Sequence, residues 1–194
     1  MSRAADLEQL ARSASAGDRV ALEELLGELR PLVVRAARLI VGAGSWAAED
    51  AAQEAMIDIM IAIEKLRDPR AVRAWALRIA SRRALRTVRW ERLRRVMGRE
   101  AEVPDHELEE VEGRQAALMG AIRALPPGQR AVLVLRLHSG LSEAQTAEVL
   151  GCSVGTVKSQ LHDARRRLAA GLRAEGLPAR SADRTGKEAV LDDA

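Results

Sequence analysis

The sequence predicts an all-α protein, and three observations carry the prediction. Among 194 residues there is no Phe, no Tyr and only Trp46, Trp75 and Trp90, so the core must be built from Leu, Ile, Val, Ala and Met. The chain is rich in Ala, Leu, Arg and Glu, which favour helices, and poor in the aromatics that favour sheets. Apolar residues also recur at spacings of three and four between Gly, Pro and Ser breaks. With 47% hydrophobic and 30% charged residues, the composition is that of an ordinary globular protein. The length suits one domain or two small ones with thin cores.

The elements follow in order. Asp18 opens a helical pattern through Val20, Leu22, Leu25, Leu26 and Leu29, and Pro31 is expected to kink or restart it. Leu32, Val33, Ala36, Leu39 and Ile40 carry the pattern to a break at Gly42-Ala43-Gly44. Ser45 can cap a helix running to about Arg67. Asp68-Pro69 then supplies an N-cap followed by proline at the first helical position, with a helix to about Met97. A helix from about Arg114 to Leu125 ends at Pro126-Pro127, and another reaches His138. Leu141–Leu150, a turn at Gly151-Cys152-Ser153, and Val154–Leu172 form a helix-turn-helix.

Charge divides the chain further. Residues 65–99 hold 13 basic side chains against Asp68 and Glu91. Residues 100–113 hold seven acids and no Lys or Arg, and 114–174 is basic again. The expected organisation is two small helical domains, 1–97 and 114–174, joined by an acidic linker, 98–113, and followed by a disordered tail, 175–194. Two basic blocks about an acidic tie suit two polyanion-binding surfaces; solvated helix faces are the alternative.

The second domain carries the sharper pattern. Ser142-x-x-Gln145 is a capping box, Gly151 supplies a left-handed turn position, and Ser153 can cap the second helix. Ala144, Ala147 and Leu150 are expected to face inward, as are Val154, Val157, Leu161, Ala164 and Leu168. That leaves Thr156, Lys158, Ser159, Gln160, His162, Asp163 and Arg166 outside, with Arg165-Arg166-Arg167 near the end. These are mostly groups that reach phosphates and base edges from a helix in a major groove.

In the first domain, the helix from Glu49 to Leu66 is expected to bury Ala52, Ala55, Met56, Ile59 and Ile63. Its other arc holds Asp50, Gln53, Glu54, Asp58 and Glu64 together with Ile57 and Ile61. Apolar area within a carboxylate rim suits a protein-docking face; alternatively, a neighbouring helix at residues 4–15 covers the isoleucines. The next helix is expected to bury Leu77, Ala80, Ala84 and Val88. Trp75, Arg78, Arg82, Arg86 and Arg89 fall within an arc of about 80° on another side. Such a stripe suits a nucleic-acid backbone with stacking on an unpaired base. The alternatives are a core Trp75, and arginines paired with Asp50, Glu54 or the linker.

These residues resemble a known family. The run from Leu141 to Arg165 is similar to region 4 of extracytoplasmic-function (ECF) bacterial sigma factors, and Leu125–Arg136 to the entry into it. Glu49-Asp50-Ala51-Ala52-Gln53-Glu54 resembles the polymerase-binding segment of region 2, and Arg73–Ala80 its promoter-opening segment. The resemblance spans roughly 18–95 and 114–172, in family order. It implies that Asp50, Gln53 and Glu54, with Ile57, Asp58 and Ile61, dock on core RNA polymerase. It implies that Trp75, Arg78, Arg82, Arg86 and Arg89 engage the minus-ten element. Thr156, Lys158, Ser159, Gln160, Arg165 and Arg166 would contact the minus-thirty-five duplex, and the acidic linker would lie in the RNA path. The implied partners are core RNA polymerase and promoter DNA, with room for an anti-sigma factor.

The chain departs from the family pattern at Met56 and Met60, at Ser81-Arg82 and Arg86, and at Gln160 and Asp163. Asp163 opposes phosphate contact unless Arg166 or Arg167 neutralises it.

Other classes fit less well. His106, His138 and His162 are dispersed, and the single Cys152 gives neither a disulfide framework nor a multi-Cys zinc site. No metal or other cofactor and no enzymatic activity are expected. Without an apolar signal core or a run of about 18 apolar residues, a cytoplasmic location without membrane insertion is expected. A sigma-like decoy for an anti-sigma factor would not need the basic recognition helix. A conventional helix-turn-helix regulator would leave the Asp50–Glu54 face unexplained.

Overall fold

The computed structural model describes residues 3–42, 45–97 and 114–176. The expected acidic linker and most of the expected tail lie outside the described residues. The chain order is α1 (Arg3–Ser15), α2 (Arg19–Val41), α3 (Trp46–Ala62), α4 (Val72–Val96), α5 (Arg114–Arg123), α6 (Pro127–Leu133), α7 (Glu143–Leu150) and α8 (Val154–Ala174). Among the described residues every regular element is helical, as expected for an all-α chain.

Local chemistry sets most boundaries. The Asp18 carboxylate accepts from the backbone N–H groups of Val20 and Ala21 and starts α2. The Ser45 hydroxyl accepts from Ala47 and starts α3. Asp68 caps a 3-10 turn at Pro69–Ala71 that leads into α4. Two expectations change here. The helix α3 stops at Ala62 and passes into a 3-10 turn, Ile63–Lys65, short of Arg67. Pro31 does not restart the helix: α2 runs through it. Proline removes one backbone bond, but Leu25 and Leu29 before it and Val33, Ala36, Ala37 and Ile40 after it are all buried. Packing on both flanks holds the helix together across the gap.

The first core lies among α1 to α4. Leu7, Ala11 and Ala14 of α1, Leu25, Leu29 and Val33 of α2, Ala52, Ala55 and Ile59 of α3, and Val72, Ala76 and Ala80 of α4 form it. A second core gathers Ile122, Leu125, Val132, Leu133, Ala147, Val157, Leu161 and Ala164 from α5 to α8.

The two halves pack on each other. Leu77 of α4 and Ala36 of α2 meet Leu135, Leu141 and Val149, while Ile40 and Ala84 meet Ala131 and Val134. Burying a leucine such as Leu77 contributes roughly 1.5–3 kcal/mol, so this is a substantial interface. Leu77 and Ala84 are therefore buried as expected, but against the second half of the chain. A π-helical turn, Val134–His138, follows α6 and is closed by Ser139 N–H donating to Val134 O at 2.9 Å. Around this turn Leu133 enters the second core, while Val134 and Leu135 enter the interface.

Arg130 sits at the junction, 8% exposed. Its guanidinium donates to Ile40 O and Val41 O at the end of α2, and to Arg123 O and Leu125 O at the end of α5. Helix C-termini leave carbonyls unbonded and carry partial negative charge, so a cation is favoured there. Burial, and then the nearby Arg123 charge, lower its pKa from the ordinary arginine value.

Candidate functional surfaces

The first surface is the outer face of α3. Asp50, Gln53 and Glu54 are exposed, and Ile57 and Ile61 are 51% and 68% exposed. The helix at residues 4–15 does not cover the isoleucines. Its buried residues Leu7, Ala11 and Ala14 join the core instead. Met60, 45% exposed, widens the apolar strip. Asp58 is half-buried, and its carboxylate is engaged by Arg83 of α4. Arg83 Nε donates to Asp58 Oδ2 at 2.5 Å and Nη2 to Asp58 Oδ1 at 2.7 Å, while Nη1 donates to Glu54 Oε2 at 2.8 Å. The sequence pattern places other arginines of this helix in functional roles and assigns none to Arg83. The local signal was slight: Arg83 falls off the Trp75–Arg89 arc, and only the packing of α3 against α4 brings it to Asp58.

The second surface is α4. Trp75 is half-buried and packs, with Ile79, against the first core. Arg78 lies 3.9 Å from Glu148 of α7 across the interface. Arg82, Arg86 and Arg89 are exposed, and none forms an acid pair among the described residues. The stripe is thus uneven: Trp75 is half-buried on the first core, Arg78 is paired across the interface, and the arginine-rich half is open. Beyond it, Trp90, Leu93, Val96 and Met97 are exposed.

The third surface is α8 with its turn. The capping box is formed, Ser142 Oγ accepting from Gln145 N–H at 3.1 Å and Gln145 Oε1 from Ser142 N–H at 2.8 Å. Gly151 takes φ 67°, ψ 39°, the left-handed conformation expected of it. Ser153 Oγ accepts from Thr156 N–H and lies 2.9 Å from Thr156 Oγ1. Lys158, Ser159, Arg165 and Arg166 are exposed. Lys158 Nζ is 3.7 Å from Glu143 of α7, and Arg166 neutralises Asp163 at 3.2 Å.

Gln160 does not share this face. It is half-buried, with Oε1 enclosed and without a partner. Its amide packs on Gly128 of α6, where an added Cβ would lie 3.0 Å from Oε1. Two positions expected inside are outside: Ala144 is exposed, and Val154 is 39% exposed. Both lie in the first turn of their helix, at the edge of the second core, where no neighbouring element covers them. Among the described residues no cluster of His, Cys, Asp and Glu could hold a metal ion, and no helix is long and apolar enough to cross a membrane.

Comparison with known proteins gives the family. Residues 25–105 match the family model described as Sigma-70 region 2, and residues 115–168 match Sigma-70, region 4. The ECF RNA polymerase sigma factor SigD of Mycobacterium tuberculosis is 32% identical over 179 residues, covering 84% of this chain and 82% of that protein. The RNA polymerase sigma-E factor of Streptomyces coelicolor is 32% identical over 173 residues, covering 89% and 97%. Among solved structures, CnrH, determined in complex with the cytosolic domain of CnrY, superimposes with a TM-score of 0.64. It is 27% identical, and the match covers 87% of this chain and 98% of CnrH. Two family regions in the correct order, and relatives matched along most of their length, lead to one conclusion. The chain belongs to the ECF sigma factors, the alternative sigma factors that direct RNA polymerase to promoters.

Proposed function

We propose a division of labour among the three surfaces. The face of α3 formed by Asp50, Gln53, Glu54, Ile57 and Ile61 docks on core RNA polymerase, with Asp58 at its edge. The exposed Arg82, Arg86 and Arg89, with the half-buried Trp75 and with Arg78 once it is released from Glu148, hold the minus-ten element and its unpaired strand. Thr156, Lys158, Ser159, Arg165 and Arg166 contact the minus-thirty-five duplex. Gln160 joins them only by turning out from Gly128. The observation that carries this reading is the adjacency of an acidic, apolar face on α3 and an open arginine row on α4. One suits a protein and the other a phosphate backbone.

In this reading residues 1–97 form the region 2 domain, 98–113 the tie, 114–174 the region 4 domain and 175–194 a tail. Joining two weak DNA contacts through one polymerase raises the effective concentration of each. The chain itself performs no catalysis and works in the cytoplasm beside the polymerase. CnrH is known in complex with the cytosolic domain of CnrY, and a protein of that kind is the expected regulator here.

The test is open-complex formation by the full chain with bacterial core polymerase on a promoter pool, with transcript starts sequenced. Discrete starts sharing two upstream elements are expected. Polymerase binding without starts would favour the decoy, and absence of polymerase binding would reject the docking face.

A further inference from the structure

We infer that Arg83 is a positioning residue for polymerase docking, and that Asp58 acts through it rather than by touching the polymerase. The inference rests on the reading of α3 as the docking face.

Three of the five guanidinium N–H donors of Arg83 are committed to carboxylates on one side of α3. Asp58 receives two of them, one on each oxygen, in a two-point fork. A planar guanidinium held in this way has its orientation fixed as well as its position. Both Asp58 oxygens are occupied, so a partner would have to displace Arg83 to use them. Glu54 is held differently. It gives Oε2 alone to Arg83, and its side chain stays 56% exposed. A glutamate on a helix surface ordinarily samples several rotamers, and a partner must freeze it on binding. Here Asp58 fixes Arg83, and Arg83 restricts Glu54 before the partner arrives.

The charge environment supports the chain of contacts. Arg83 has its pKa raised, first by the hydrogen bonds it donates to Asp58, against a smaller desolvation effect. The side chains of Arg83 and Asp58 are 26% and 34% exposed, enough shelter to make the fork stronger than a fully solvated ion pair. Arg83 is rooted in α4, the promoter helix of the same reading. The contact therefore joins the polymerase face to the DNA face by one side chain.

A purely electrostatic account predicts the opposite outcome. Arg83 partly neutralises Glu54, so if negative charge alone drove docking, its removal would strengthen binding to a basic partner surface. The direction of the effect separates the two accounts.

The experiment measures the affinity of the full chain for core RNA polymerase at two salt concentrations, with the melting temperature of each variant alongside. Arg83→Met and Asp58→Asn are each expected to weaken binding roughly tenfold, and the double variant no more than either alone, as coupled neighbours should. Arg83→Lys keeps a charge but loses the fork, and should recover only part of the affinity. Glu54→Lys serves as the control for the docking face. Wild-type or tighter binding by Arg83→Met, with Glu54→Lys impaired, would overturn the positioning role and leave the docking face standing. Additive losses in the double variant would also overturn it. Unchanged binding by Glu54→Lys would instead remove the docking face itself. If Arg83→Met melts below the assay temperature, the comparison of Arg83→Lys with Asp58→Asn decides the matter.

Discussion

The guanidinium of Arg130 donates to the backbone carbonyl of Ile40 at 2.9 Å, across 90 residues of sequence. One side chain thereby closes the end of α2 in the first half of the chain and the end of α5 in the second half. No carboxylate takes part among these contacts. The charge is balanced by the carbonyl ends of two helices converging on it.

Arg130→Met should lower the stability of the chain by about 3 kcal/mol, since it strands the buried bonding sites at Ile40 O and Leu125 O. The methionine retains much of the apolar stem, so packing loss is small. Chemical denaturation followed by tryptophan fluorescence, which reports the first half, and by far-ultraviolet circular dichroism, which reports both, measures the change. With the interface weakened, the two halves should also unfold in separate steps.

His138 makes stability depend on pH. Burial first, and then the Arg35 charge, hold its pKa below the ordinary histidine value of 6.5. The unfolded chain therefore binds a proton at a pH where the folded chain does not, and stability rises with pH through that window. Above the ordinary value the group contributes no penalty; below it stability falls until the folded pKa is passed. Melting temperatures of the wild type and His138→Gln, taken from pH 7.5 down to pH 5, should diverge in slope, the variant being flatter.

Ile61→Asp should separate docking from folding. The residue is 68% exposed, so the substitution should change stability by less than about 0.5 kcal/mol. If the isoleucine lies at the centre of the polymerase contact, affinity for core polymerase should fall at least about tenfold, or roughly 1.4 kcal/mol. Equilibrium binding and a thermal melt on the same preparation check both halves of the prediction.

Lys158 and Gln160 are neighbours in sequence with opposite expectations. Lys158→Ala should weaken promoter binding and reduce the slope of log affinity against log salt by about 1, as loss of one phosphate contact requires. Gln160→Ala should leave the affinity itself unchanged, because its amide lies against Gly128 rather than on the open face. A salt titration of binding to a minus-thirty-five duplex distinguishes them.

Features closed within a few residues are legible in the residue types alone. The caps at Asp18, Ser45, Asp68, Ser142 and Ser153, and the left-handed turn at Gly151, depend on groups two to four residues apart, so their residue types alone announce them. Helical periodicity likewise marked Leu77 and Ala84 as buried, and the exposed rows on α4 and α8 were legible as basic arcs. The periodicity says that a side chain is covered, but not by what. Packing places Leu77 and Ala84 against the second half of the chain, leaves Ile57 and Ile61 open, and carries α2 through Pro31. The same holds for the Arg83 fork and the Arg130 junction, whose partners lie 25 to 29 and up to 90 residues away. Such contacts depend on which helices meet and at what rotation, a property of packing that no local spacing encodes.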